Sequence, residues 1–186
     1  DDEAVLAWAV LLGTIPLGLS GFLFHDLIET YLRSPLVIAT TTIVFGLLLW
    51  YADRTGAQTR CEYRLDAGRV AVIALAQVLA LIPGTSRSGI TITAGLMVGL
   101  DRSAAARFSF LLSVPAIAMA ALYETKNLLE AAVPVDWLAI ASGVAVSGIS
   151  AYLCIHYFLK LLERIGMLPF VIYRLVLGVV LFAMFL

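Results

Sequence analysis

The chain has 186 residues, of which 62% are apolar and only 13% charged, with a mean hydropathy of +1.00. Soluble domains carry about 25% charged residues, so this composition excludes an ordinary soluble domain and describes a chain embedded in a membrane. The net charge of −1 gives no electrostatic footing for nucleic acid as a partner.

The chain opens Asp1-Asp2-Glu3, without an initiator Met and without the basic-then-apolar pattern of a signal peptide. Further residues are therefore expected upstream. Five stretches are long enough to cross about 30 Å of hydrocarbon, which takes roughly 20 residues of helix. Ala4–Phe24 is uncharged, with a bend expected at Pro16 and Gly18. Pro35–Ala52 is uncharged and ends in the interfacial pair Trp50-Tyr51. Ala104–Tyr123 carries only Arg107, and its Ser113 and Pro115 read as a kinked packing helix. Trp137–Leu159 holds only His156, near its inner end, and Cys154, which reads as a small core residue. In the same stretch Gly143, Ser147 and Ala151 repeat every four residues, a spacing that predicts close helix contact. Ile165–Leu186 carries a single Arg174, read first as snorkelling to the interface. Cys154 and Cys61, which lies in a polar connection, are not expected to form a disulfide.

Between the second and third spans lies Val70–Leu100, whose halves Val70–Ile82 and Ile90–Leu100 are each too short to cross. They are separated by Pro83-Gly84-Thr85-Ser86-Arg87-Ser88-Gly89. This run cannot be continuous helix: Pro83 has no N–H, Gly84 is permissive, and Ser and Thr favour caps. The segment either crosses once as a broken helix or returns as a re-entrant hairpin. If it returns, Arg54, Arg60, Arg64, Arg69, Arg102, Arg107, Lys160 and Arg164 share one side, and only Arg33 and Lys126 face the other. If it crosses, the same ten residues divide five and five. The positive-inside rule favours the hairpin, with the connections 25–34 and 124–136 outward. His25, with Asp26 and Glu29 nearby, opens the first of these.

The fold class expected is thus an all-α integral membrane protein, a single domain over 1–186 with about five transmembrane helices and a re-entrant hairpin over 70–100. Irregular backbone at membrane depth survives only where protein or water satisfies it, so helices must wrap the 83–89 loop. Gly95 and Gly99 on the second arm let a neighbour come close. An arginine at such depth is a functional candidate by default. Arg87 offers a fork of donors suited to phosphate oxygens. Ser86, Ser88 and Thr91 add hydroxyls, Gly84, Thr85 and Gly89 let a ligand approach the backbone, and the helix beginning near Gly89 presents free N–H groups. The plainer reading is that Ser86 or Ser88 caps the second arm while Arg87 pairs with a buried carbonyl or carboxylate. No acidic residue lies within any of the apolar stretches, which favours an external anion. Gln77 either reaches the cavity or satisfies backbone opened by the break.

Pro83-Gly84-Thr85-Ser86-Arg87-Ser88-Gly89-Ile90-Thr91 resembles the second signature of the undecaprenyl-diphosphate phosphatase (bacitracin-resistance) family. Phe108-Ser109-Phe110-Leu111-Leu112-Ser113-Val114-Pro115 and Leu168-Pro169-Phe170-Val171-Ile172-Tyr173-Arg174 resemble it as well, as does Gly13-Thr14-Ile15-Pro16 followed by Phe24-His25-Asp26. The resemblance implies a bacterial cytoplasmic-membrane enzyme that removes the terminal phosphate of a polyprenyl diphosphate, built from two inverted repeats. It implies catalytic roles for Arg87 and Ser86 and a substrate loop of Gly84, Thr85, Ser86, Arg87, Ser88, Gly89 and Thr91. It also implies a divalent cation, Mg²⁺ or Ca²⁺, and leaves a homodimer open. The family's other signature, a Glu-rich stretch leading into a Pro-Val-Ser-Ser-Thr-Gly-His loop, would precede Asp1. It would supply the catalytic glutamates, a serine, a histidine and the metal role. Without it, hydrolysis is expected to fail; with it upstream, the enzyme reading stands, with the cavity opening outward above the hairpin tip. A transporter or flippase holding an anionic lipid at a broken-helix site is the rival reading.

Overall fold

The computed structural model describes residues 2–24, 28, 31–130 and 136–185, so the expectations for His25, Asp26 and Glu29 lie outside it. The helices are α1 (Asp2–Leu23), α2 (Pro35–Thr55), α3 (Ala67–Val78), α4 (Arg87–Met97), α5 (Arg102–Glu130), α6 (Trp137–Ile165) and α7 (Leu168–Phe185). Among the described residues, α1, α2, α5, α6 and α7 are long and apolar enough to cross a membrane. The protein is an all-α, multi-pass integral membrane protein.

Hydropathy set the number of spans, and local capping set their ends. α1 runs unbroken through Pro16, and α5 through Pro115. α5 and α6, at 29 residues each, outrun the expected stretches. At 1.5 Å per residue each is about 44 Å long, so their ends extend beyond the hydrocarbon or the helices tilt. The break before the last helix falls at Gly166, one residue inside the stretch expected to begin at Ile165. Gly166 sits at φ +68 and its N–H closes α6 on the Leu162 carbonyl, a left-handed cap that favours glycine.

The segment between α2 and α5 leaves and returns to one place. Thr59 and Arg60 both donate their N–H to the Gly99 carbonyl at 3.1 Å, and Asp101 N–H donates to Arg60 at 2.9 Å. The intervening arms, α3 and α4, pack against each other. At 12 and 11 residues, each spans roughly 17 Å, too short to cross. Asp66 caps α3 by accepting from Arg69 N–H.

α4 sits at the centre, against α2, α3 and α5, and every residue from Ile90 to Leu96 is buried. Its Gly95 does bring a neighbour close: a Cβ there would stand 3.1 Å from Ala105 Cβ of α5. The base of the arms is fastened by ion pairs. Arg102 grips Asp53 at 2.6 and 3.1 Å, and Arg107 meets the buried Glu62 at 2.9 Å.

Two expectations fail on α6. Cys154 is exposed rather than in the core, and both cysteines are free. Among the described residues the small-residue stripe finds no close neighbour at Gly143, where no atom stands within 4 Å of a built Cβ. Small residues permit close approach without compelling it, and among the described residues α6 joins the core through its last turns, where Leu162 is fully buried.

Candidate phosphate-binding site

Gly84 sits at φ +88, pressed so tightly on α2 that a Cβ would meet the Thr41 hydroxyl at 2.3 Å and the Ile38 carbonyl at 2.5 Å. The turn is held from outside. Thr41 Oγ1 donates to the Pro83 carbonyl at 2.6 Å, and Thr42 Oγ1 to the Gly84 carbonyl at 3.2 Å. From α7, Arg174 Nη2 donates to the same Gly84 carbonyl at 2.9 Å and Nε to the Thr42 carbonyl at 3.3 Å. With its carbonyls bound on the α2–α7 side, the loop turns into α4 at Ser86.

Ser86 adopts φ +68, a left-handed conformation that costs a non-glycine residue about 1–3 kcal/mol. Its side chain accepts from Gly89 N–H at 3.2 Å and caps the helix. The hydroxyl proton of Ser86 stays free to donate to an anion. Arg87 and Ser88 open the helix, so their N–H groups have no intrahelical acceptor.

The Arg87 guanidinium is half-buried and makes no hydrogen bond or ion pair with the described residues. The plainer expectation is therefore half met: Ser86 caps the second arm, but Arg87 pairs with no buried carbonyl or carboxylate among the described residues. The Arg174 guanidinium lies across the same helix start, where a Cβ on Gly89 would stand 3.2 Å from its Nη1. The Arg174 cation thus lies against a helix N-terminus, the end whose dipole is positive and repels it, and Arg87 is the first residue of that helix. No ion pair neutralises either among the described residues. Arg174, read first as a snorkelling residue, is in fact buried at the loop. The sequence held a weak signal for this: Gly46 and Gly178 let α2 and α7 approach closely, and a Cβ on Gly46 would stand 3.2 Å from Arg174 Cβ.

A cavity of about 450 Å³ opens beside the loop. Gly84, Ser86, Ser88, Gly89, Thr42 and Arg174 give it a polar end, and apolar side chains from α2, α4, α6 and α7 form its walls. Not every residue expected to face the anion does so. Arg87 is absent from the lining of this cavity. The Thr85 hydroxyl is fully buried without a partner among the described residues. Thr91 Oγ1 is turned into the α4–α5 interface, where it donates to the Arg87 carbonyl at 2.9 Å and lies 2.7 Å from Ser109 Oγ. Gln77 reaches neither the cavity nor the break and points to the Gly13 carbonyl of α1. His156 lies far from the loop in sequence and makes ring contacts with Tyr152 and Tyr157.

A family model described as "Bacitracin resistance protein BacA" matches residues 1–180. The chain belongs to the BacA family. Within that family it is 62% identical over 186 residues to "Undecaprenyl-diphosphatase 2" of Stutzerimonas stutzeri (strain A1501), covering 98% of this chain and 69% of that relative. It is 58% identical over 182 residues to "Undecaprenyl-diphosphatase" of Teredinibacter turnerae (strain ATCC 39867 / T7901), again covering 98% and 69%. A third BacA relative, "Undecaprenyl-diphosphatase 1" of Pseudoalteromonas translucida (strain TAC 125), is 57% identical over 178 residues, with 96% and 67% covered.

Proposed function

We propose that this chain binds and dephosphorylates undecaprenyl diphosphate, releasing the monophosphate carrier lipid at the loop 83–89. One observation carries the reading. Arg87 is the first residue of α4 and the Arg174 guanidinium lies against the same helix start, with no carboxylate paired to either among the described residues. An arrangement that is repulsive when empty is attractive when a diphosphate occupies it. The names of the relatives, and the apolar walls beside the polar end, support a lipid diphosphate.

The residues divide the work by chemistry. Arg87 and the N–H groups of the first turn hold phosphoryl oxygens and offset charge that develops as the anhydride bond breaks. Ser86 and Ser88 donate hydroxyl hydrogen bonds. Arg174 fixes the Gly84 carbonyl and adds positive potential. The groups around the loop are hydroxyls, amides and guanidinium groups, and they do not fit a divalent cation. No cluster of three or more metal-binding side chains occurs among the described residues. A cation, proposed on the family resemblance, would take its carboxylates from elsewhere in a longer protein. None of the loop residues is a general base.

The arms α3 and α4 are proposed to enter the bilayer from the basic, cytoplasmic side of a bacterial inner membrane and return to it. The loop then lies at membrane depth.

The direct test is phosphate release from undecaprenyl diphosphate by the natural full-length protein carrying Arg87→Ala. A loss of about a hundredfold or more, with the fold intact, is expected. Near-normal turnover would refute the role assigned to Arg87, and labelled lipid crossing leaflets uncleaved would favour a transporter instead.

A further inference from the structure

The lipid chain must leave the phosphate seat through an apolar channel that opens to the bilayer, and the molecule offers a specific one. A second cavity, of about 540 Å³, has Phe158 and Phe170 in its wall in common with the first. That volume is within the range of pockets that enclose most of a small ligand. The two cavities share Ser88, Ile92, Phe158 and Phe170, so one hydroxyl of the loop borders both. Beyond Ser88 and Ile92 the second cavity is lined by Phe110 of α5 and by the C-terminal half of α6, including Cys154. Its wall is aromatic: Phe110 and Phe158 meet edge to face at 5.6 Å, and Phe158 and Phe170 lie tilted with centroids 5.0 Å apart. On α6, Leu153, Ile155 and Tyr157 are exposed, so the cavity opens sideways where lipid would be.

We propose that this α5–α6 cavity is the binding site for the first isoprene units of the substrate's chain, a reading that rests on the lipid-diphosphate function above. Three features select it. It begins at the loop, as a chain esterified to the bound diphosphate must. It demands no hydrogen bond of a hydrocarbon and presents ring faces and edges to the alkene carbons. It also has a lateral mouth, which a C55 chain needs because no cavity of this size contains it. The comparable apolar groove between α1 and α3, about 490 Å³, includes no loop residue in its lining and fails the first condition.

Cys154 provides a probe inside the cavity. The experiment uses the natural full-length protein with every other cysteine replaced by serine, reconstituted in vesicles and exposed to a membrane-permeant maleimide. A non-hydrolysable methylene analogue of undecaprenyl diphosphate is expected to slow alkylation of Cys154 about fivefold or more, whereas inorganic methylenediphosphonate leaves the rate unchanged. A second measurement uses Cys154→Trp, which fills the cavity. KM for the C55 diphosphate should rise about tenfold with kcat within about twofold, and an unchanged KM would overturn the tail site. Equal alkylation with and without the long-chain analogue, in protein that releases phosphate normally, would overturn the tail site and leave the hydrolase reading standing. Absence of phosphate release from any diphosphate by the parent protein would overturn the hydrolase reading, and the tail site with it.

Discussion

Arg174 Nη2 donates to the Gly84 carbonyl at 2.9 Å, so a side chain of the last helix fixes the turn of a loop 90 residues earlier. The same carbonyl accepts from Thr42 at 3.2 Å. Replacing Arg174 by Ala removes the charged donor and leaves the threonine bond. A hydrogen bond to a charged group contributes about 1.5–3 kcal/mol, which sets the expected loss of stability. Activity should fall further, by about tenfold or more, because the loop loses both its position and its positive potential. Arg174→Lys keeps the charge but cannot reproduce the two-point grip on Gly84 and Thr42, so it should restore stability better than rate. Thermal unfolding alongside steady-state kinetics separates the two effects.

Gly84 is the least substitutable residue of the turn. An alanine there would place Cβ 2.3 Å from the Thr41 hydroxyl, in a backbone conformation that L side chains rarely adopt. Gly84→Ala should displace the loop from α2 and abolish phosphate release. Thr41→Val, which deletes the 2.6 Å bond to Pro83 together with the hydroxyl's bonds to the Val37 and Ile38 carbonyls of its own helix, should have a smaller effect, and Thr41→Ser should recover the parent rate. Equal, mild effects from all three would contradict a loop clamped on α2.

Thr91 distinguishes a binding role from a packing role. Its hydroxyl is shared between the Arg87 carbonyl and Ser109 in the α4–α5 interface. Thr91→Val should lower the unfolding temperature by an amount equivalent to about 1 kcal/mol and leave KM within about twofold. Ser88→Ala, at an exposed position on the cavity, should raise KM with little change in stability. A large KM effect at Thr91 would mean that the hydroxyl turns toward the ligand.

The clasp at the base of the arms has a separate consequence. Asp53 is 9% exposed and bound bidentately by Arg102, whose side chain is 37% exposed. Exposure of the arginine weakens the pair, so Asp53→Asn should cost about 2 kcal/mol rather than the larger figure for a fully buried ion pair. Turnover per folded molecule should change little, since neither residue lines the cavity beside the loop. A double-mutant cycle with Arg102→Gln measures the coupling.

Topology is open to direct chemistry. Arg60 pairs with Leu100, so native Cys61 and a cysteine introduced at Asp101 should react with an impermeant thiol reagent from the same face of sealed vesicles. Labelling from opposite faces would mean that the segment crosses.

The sequence by itself determined the class, the spans and the break. Hydropathy decides which stretches enter lipid, because transfer of apolar surface is summed along each stretch and needs no partner. Pro83 and the caps around it stop the helix through missing N–H groups and competing hydroxyls, which are equally local. The arginine, the hydroxyls and the small residues that mark an anion site are likewise adjacent in the chain. Helix rotation, and therefore what each side chain faces, was decided only by tertiary packing. Gly46 and Gly178 bring α2 and α7 close enough for Arg174 to reach the loop, and Ser109 of α5 draws Thr91 into the interface. Those contacts join residues far apart in the chain. Periodicity marks which faces are apolar, and only the packed neighbours decide which polar side chains converge.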